Sequence, residues 1–285
     1  MLNSRFASSL VAVLLAPGSI DAQSARPGLA LDQVITVVNE QPTRVDSSTN
    51  YLHMIFSGAD SRIEMRQNTL YPTMGPFNPG AHAVLVTKDG GRTTVFLNPD
   101  TKEYLSMKPL EMMNGFKKML ESMGGSMVVD TSATTAALDS LGPGPKSDGH
   151  PTLRYRLTTA TRMTISMMGE STVSSTRSTM DMDVATDMGD YQDALAATMS
   201  GIADVTRSMG FAKGFSDKLA EQQRRVHGLP LRVVRNATVA QGTTIHASTT
   251  TIDSRNVQRV TVPDSLFAIP AGYKQVSLPT MPGVN

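Results

Sequence analysis

The chain has 285 residues, a formal net charge of +1, no cysteine, no tryptophan and 5% aromatic residues. Disulfides, thiolate catalysis, Cys-ligated zinc and iron–sulfur clusters are therefore excluded. Without a concentrated basic face or stacking rings, nucleic acid is not an expected partner.

Residues 1–22 read as a secretory signal peptide. Arg5 supplies the positive start, Leu10 to Ala16 form a short apolar core, Pro17-Gly18 breaks it, and Ala22 is the small residue at the expected cleavage point. Seven apolar residues are too few for a bilayer span, which takes about 20. No later run is long enough either, so the mature chain is expected to be periplasmic or secreted with no transmembrane segment. Residues 23–30, with Pro27 and Gly28, read as a flexible lead-in.

A period of two then takes over, the signature of strands. Val34, Thr36 and Val38 mark a first strand, Tyr51–Phe56 forms a second, and Arg62–Arg66 returns after a turn at Ser57–Ser61. The stretch 71–80 is too rich in Pro and Gly for regular structure. Val84–Thr87 and Thr93–Leu97 form a hairpin across Lys88-Asp-Gly-Gly91, and Glu103–Ser106 follows another turn. Between 109 and 123 the period lengthens. Leu110, Met113, Phe116, Leu120 and Met123 fall on one helical face, with Pro109 in the first turn and Gly124-Gly125 at the end.

A Gly/Pro loop at 142–149 precedes the best alternation in the chain. Leu153, Tyr155, Leu157, Met163, Ile165 and Met167 share one parity, and Arg154, Arg156 and Arg162 take the other. After Gly169 a return strand carries Met180, Met182 and Val184. A helical insertion is expected over 190–226, where Leu195, Met199, Ile202 and Met209 recur at helical spacing. Strands resume at Leu231–Arg235, Thr243–Ile252 and Asn256–Val260. In the closing Val262–Lys274, Pro263-Asp264-Ser265 starts a helical turn, Leu266, Phe267 and Ile269 are expected to bury, and 277–285 reads as a disordered tail. This pattern predicts one α+β domain over 31–276: a curved antiparallel sheet with helices packed in its concave face.

Three segments carry a family likeness: Phe96–Tyr104, Gly149–Tyr155 and, most specifically, Phe267-Ala-Ile-Pro-Ala-Gly-Tyr273. Together they resemble a bacterial exported family of unknown function, itself similar to the periplasmic lipoprotein carriers of the LolA and LolB type. The resemblance implies an open half β-barrel with helices plugging the concave side, and in the carriers that cavity holds acyl chains.

The leading expectation is a non-enzymatic binding or carrier protein for an apolar ligand such as a lipid or lipidated protein. Met163, Ile165, Met167, Met180, Met182, Leu195 and Met199 are the expected lining residues, since methionine adapts to varied apolar partners. Two alternatives stand beside it. Thioethers are soft ligands for Cu(I), and Met163, Met167, Met168, Met180, Met182 and Met188 would converge if the two long strands pair. The chain is otherwise an envelope structural or interaction protein with a solid interior. No catalytic residue, cofactor or resident metal site is expected. His53, His82, His150, His227 and His246 show no metal-ligand spacing, and no nucleophile elbow or phosphate loop is present. Asp181, Asp183, Asp187, Asp190 and Asp193 lack the calcium-loop pattern and read as a solvated strand end.

Overall fold

The computed structural model describes residues 25–41, 44–67, 73–74, 76–167, 169–189 and 213–277. The strands are β1 (Ala25–Gln41), β2 (Arg44–Ser57), β3 (Asp60–Met65), β4 (Val84–Lys88), β5 (Thr93–Asn98), β6 (Glu103–Met107), β7 (Ser126–Val129), β8 (Thr135–Pro143), β9 (Thr152–Met167), β10 (Glu170–Ala185), β11 (Leu229–Gln241), β12 (Thr244–Pro263) and β13 (Lys274–Gln275). Two helices, α1 (Pro109–Ser122) and α2 (Lys213–Gln223), complete the described regular structure beside three short 3-10 turns.

All the strands join one sheet in the order β13-β6-β5-β4-β3-β2-β1-β12-β11-β10-β9, with β7 and β8 both pairing β9. Every pairing is antiparallel except β13 with β6. The sheet is curved and unclosed: β13 ends it on one side, and β7 and β8 end it on the other.

Several elements differ from the sequence expectation. Residues 25–30 are not a flexible lead-in. They are the opening of β1, paired with Pro263–Gln258, and Leu29 and Ala30 are buried. Gly28 permits this, because a Cβ there would sit 2.6 Å from both the Phe56 carbonyl oxygen and Val262 Cγ2. The two expected strands at 243–252 and 256–260 are one strand, β12. A bulge keeps it continuous: pairing with β1 slips between Ala30 and Asp32, and Asn256 takes φ 53°. Asn256 Nδ2 donates to Asp32 Oδ2 at 2.8 Å, and the Val257 amide donates to Asp148 Oδ2 at 2.8 Å. β7, β8 and the first half of β2 lie where the sequence pattern marked no strand. Helix α1 forms as expected, but Leu110 and Met123, the two ends of its apolar stripe, are exposed. Of the 190–226 insertion, 190–212 lies outside the described residues, as do the signal segment and 278–285.

Strand parity sorts the side chains into two faces. One face carries three of the four apolar clusters. Under β2–β6 it carries Leu52, Met65, Leu85, Phe96 and Leu105, and the Pro/Gly-rich 71–80 stretch sends fully buried Phe77 down onto them. Near the bulge it carries Leu29, Leu31 and Phe56, packed with Met188, Leu229 and Leu231. Under β8–β10 it carries Leu138, Tyr155, Leu157, Met182 and Val184, and there Leu219 of α2 and Val226 pack against it. Lys218 Nζ ties α2 to the Thr134 carbonyl at 3.0 Å.

The opposite face carries an apolar cluster centred on β4 and β5, which explains their unbroken runs Val84-Leu-Val86 and Val95-Phe-Leu97. The closing 3-10 turn Asp264–Phe267 covers it there, with Phe267 buried against Val84, Val86, Val95, Leu97 and Val262. Ile269, expected to bury with it, is exposed, because the chain turns away at Pro270 and returns only as β13. The Arg26 guanidinium stands 5.1 Å from the Phe267 ring centroid. Phe267→Ala is expected to cost about 3–5 kcal/mol, read as a lowered denaturant midpoint with unchanged slope. A loss under about 1 kcal/mol would show that the closing turn is not part of the core.

Candidate ligand-binding face

Long strands in register produce continuous rows of side chains across the sheet. One row on the apolar face runs Ile35–Ile252–Val233–Met182–Tyr155, crossing β1, β12, β11, β10 and β9. The next row runs Val37–Thr250–Arg235–Met180–Leu157–Leu138. At about 4.8 Å per strand, the first row is about 19 Å wide. Its β9 and β10 members are buried, whereas Ile35, Ile252 and Val233 are half-buried. The described residues therefore fill the two ends of the apolar face, with Phe77 at one and α2 at the other, and leave its middle partly open.

The expected lining residues divide on this frame. Met180 and Met182 lie in the two rows, as the parity of the return strand implied. Met163 and Ile165 share the face but sit toward the Gly169 turn, where Met167 ends β9. Met163 lies opposite Ser174, Ile165 opposite Thr172 and Met167 opposite Glu170. Ser174 and Met180 are six residues apart on β10, about 20 Å along the strand. Met188 is buried in the cluster near the bulge. The pairing of the long strands thus separates the methionines it was expected to bring together, because a hairpin register places residues near the turn far from those near the strand ends. Met168, Leu195 and Met199 lie outside the described residues. Val37, Ile35, Ile252 and Val233, which the sequence reading left out of the lining set, complete the rows. Their parity was legible, but their partners depend on long-range register.

The polar face between β9 and β12 is laced by ion pairs. Arg154 Nε donates to Asp183 Oδ1 at 2.9 Å, and Arg156 donates to both Asp181 oxygens at 2.7 and 2.8 Å. Arg232 approaches Asp253 at 3.7 Å. Asp183 also faces Arg232 in register, so charges of opposite sign alternate Arg154–Asp183–Arg232–Asp253 across four strands. Arg154 and Arg156 thus spend their charge inside the sheet's own outer ladder. The aspartates of the expected solvated cluster take the same kind of role: Asp187 accepts from His150 Nδ1 at 2.9 Å. Asp190 and Asp193 are outside the described residues.

The Arg156 hydrogen bonds hold the Asp181 carboxyl below the usual carboxylate range. Asn256 first, then His53, do the same for Asp32. A lowered folded-state pKa gives stability that is complete above the unfolded value near 3.8 and is lost as pH falls through the folded one. Asp181→Asn is therefore expected to be less stable than the wild type at pH 6 and to converge with it as pH drops from about 4 to 2. Equal melting temperatures at pH 6 would contradict the assignment.

Among the described residues, no group of three or more His, Asp or Glu side chains is arranged to hold a metal ion. A hollow of about 480 Å3 opens beside β2–β4 between His53, Arg62, Glu64, Arg66 and His82. Its best-placed cation is already engaged, since Arg62 donates to Glu64 Oε1 at 2.7 Å and to the Leu266 carbonyl at 3.1 Å. His53 is held by Asp32 at 2.8 Å. No helix of the described residues is long and apolar enough to cross a membrane.

No family model and no curated protein matches the chain. Among solved structures it is similar to a LolA superfamily protein from Nitrosomonas europaea, at 8% identity and a TM-score of 0.32, over 87% of this chain and 91% of that one. It is also similar to a candidate outer membrane lipoprotein-sorting domain from Vibrio parahaemolyticus, at 6% identity and a TM-score of 0.27, over 85% of this chain and 89% of that one. Likeness at this level assigns neither ligand nor activity.

Proposed function

We propose that the chain is an exported, non-enzymatic binding or carrier protein whose apolar sheet face holds an acyl chain of a lipid or lipidated protein. In this reading residues 1–22 are removed, the mature protein works in the periplasm, and residues 25–276 act as one domain with the apolar face as the concave side. The observation that carries the reading is the Ile35–Ile252–Val233–Met182–Tyr155 row, apolar across five strands yet half-buried at its β1, β12 and β11 members. A face that only had to stabilise the sheet gains most by full burial, at about 25 cal/mol per Å2. A middle left partly open between two filled ends suits an apolar guest.

Native mass spectrometry of the gently purified protein, with and without added fatty acid and phospholipid, tests the proposal. Stoichiometric lipid adducts are the expected result. A spectrum of bare protein under every condition would overturn it and favour a solid envelope protein.

A further inference from the structure

The middle of the apolar face carries one charge. Arg235 is the single charged member of the two rows, between Thr250 and Met180 and two residues from Val233. Its side chain shares the face with buried Ser178, whose Oγ accepts from Arg235 Nε at 3.2 Å. Arg154, Arg156 and Arg232, on the other face, each have an aspartate; Arg235 has no carboxylate partner among the described residues. Among the described residues the other charges on its face lie elsewhere: Arg44 and Asp46 pair with each other near the start of β2, Glu170 starts β10, Glu103 and Lys274 face each other at the β6–β13 edge, and Arg259 lies beyond the bulge where it acts on Asp187.

With Nε held by Ser178, the two terminal nitrogens of the guanidinium remain for a ligand. That planar pair matches a carboxylate or phosphate edge. A neutral guest laid along the row would take water from the cation and return nothing, whereas an anionic head group would be repaid by charge-assisted hydrogen bonds. One cation matches one negative charge, and the apolar row begins beside it at Val233, two strand spacings or about 10 Å from Tyr155 on one side and Ile35 on the other. Resting on the carrier reading above, we propose that the ligand is a single-chain anionic amphiphile, a long-chain fatty acid anion, with its carboxylate on Arg235 and its chain running over the apolar face from Val233 outward.

Palmitate and hexadecanol, equal in chain length and different in charge, separate the two ideas when titrated at pH 8 into the full chain against a fluorescent acyl probe. Wild type is expected to prefer palmitate by about tenfold. Arg235→Gln is expected to abolish the preference, the two affinities converging, and Arg235→Lys to restore part of it. Arg235 is exposed, so the variants should keep the wild-type circular dichroism. Equal binding of both compounds by wild type, or a preference that survives in Arg235→Gln, would overturn the anionic anchor and leave the carrier reading standing. Failure of both compounds to bind would remove the two together. Tighter binding of two-chain phosphatidic acid than of palmitate would overturn the single-chain assignment.

Discussion

Gly228→Ala is expected to destabilise the protein by at least about 3 kcal/mol, lowering the melting temperature by roughly 6–12 °C. Gly228 leads into β11 at φ 122°, a conformation that side-chain-bearing residues rarely adopt. Its missing Cβ would lie 2.1 Å from the Ala185 carbonyl oxygen and 2.9 Å from the Ala185 carbonyl carbon. Both are backbone atoms of a fully buried residue, so neither can swing aside. Relief would require separating Ala185 from Leu229, the register pair that fixes where β11 starts against β10. Displacing it would disturb both Leu229 and Ala185 in the cluster near the bulge. Gly242→Ala is the control: φ is 58° there, but nothing lies within 4 Å of the added carbon. It should cost only the left-handed strain of about 1–2 kcal/mol. Equal melting temperatures for the two variants would refute the close approach at Gly228.

The largest functional effect is expected at Val233. Val233→Gln places an amide in the middle of the apolar row, between Ile252 and Met182. Leaving that amide unpaired against an acyl chain costs about 1–3 kcal/mol, a loss of roughly 5- to 150-fold in affinity. Val234→Gln, one residue on, puts the same group on the polar face between Asp181 and Thr251. Its acyl affinity should match the wild type. Both residues are half-buried and in mid-strand, so the cost to β-structure is similar and the contrast isolates the face. Equal losses in the two variants, measured by displacement of a fluorescent acyl probe, would reject the row as the binding surface.

Much of the fold was legible because alternation is a local signal. Leu153, Tyr155 and Leu157 against Arg154 and Arg156 announced both β9 and its two faces. Lys88-Asp-Gly-Gly91 announced the β4–β5 hairpin, and Asp89, Gly90 and Gly91 do take positive φ. The strands that were missed are those whose pairing is their main support. β8 is small and polar, Thr135-Ala-Ala-Leu-Asp-Ser-Leu-Gly-Pro143, and is fixed by hydrogen bonds to β9 rather than by its own pattern. Pro27 and Gly28 looked like a mobile lead-in, yet the close approach of Phe56 and Val262 makes Gly28 necessary there. The strands expected at 243–252 and 256–260 are one, because a bulge carries the pairing across the gap between them.

The amino-acid order alone therefore determined the class of the protein, a Cys-free chain of long amphipathic strands, and which residues share a face, because a strand's side chains alternate whatever lies beside it. Tertiary structure decided which of those residues meet. The β9–β10 hairpin register split the methionines by about 20 Å, and pairing between strands far apart in sequence gathered Ile35 with Ile252 and Val233 with Met182 into one row. It also left Arg235 facing that apolar surface without a carboxylate among the described residues. No local pattern encodes the row or the setting of Arg235, since both are fixed by hydrogen bonding and packing summed over the whole sheet.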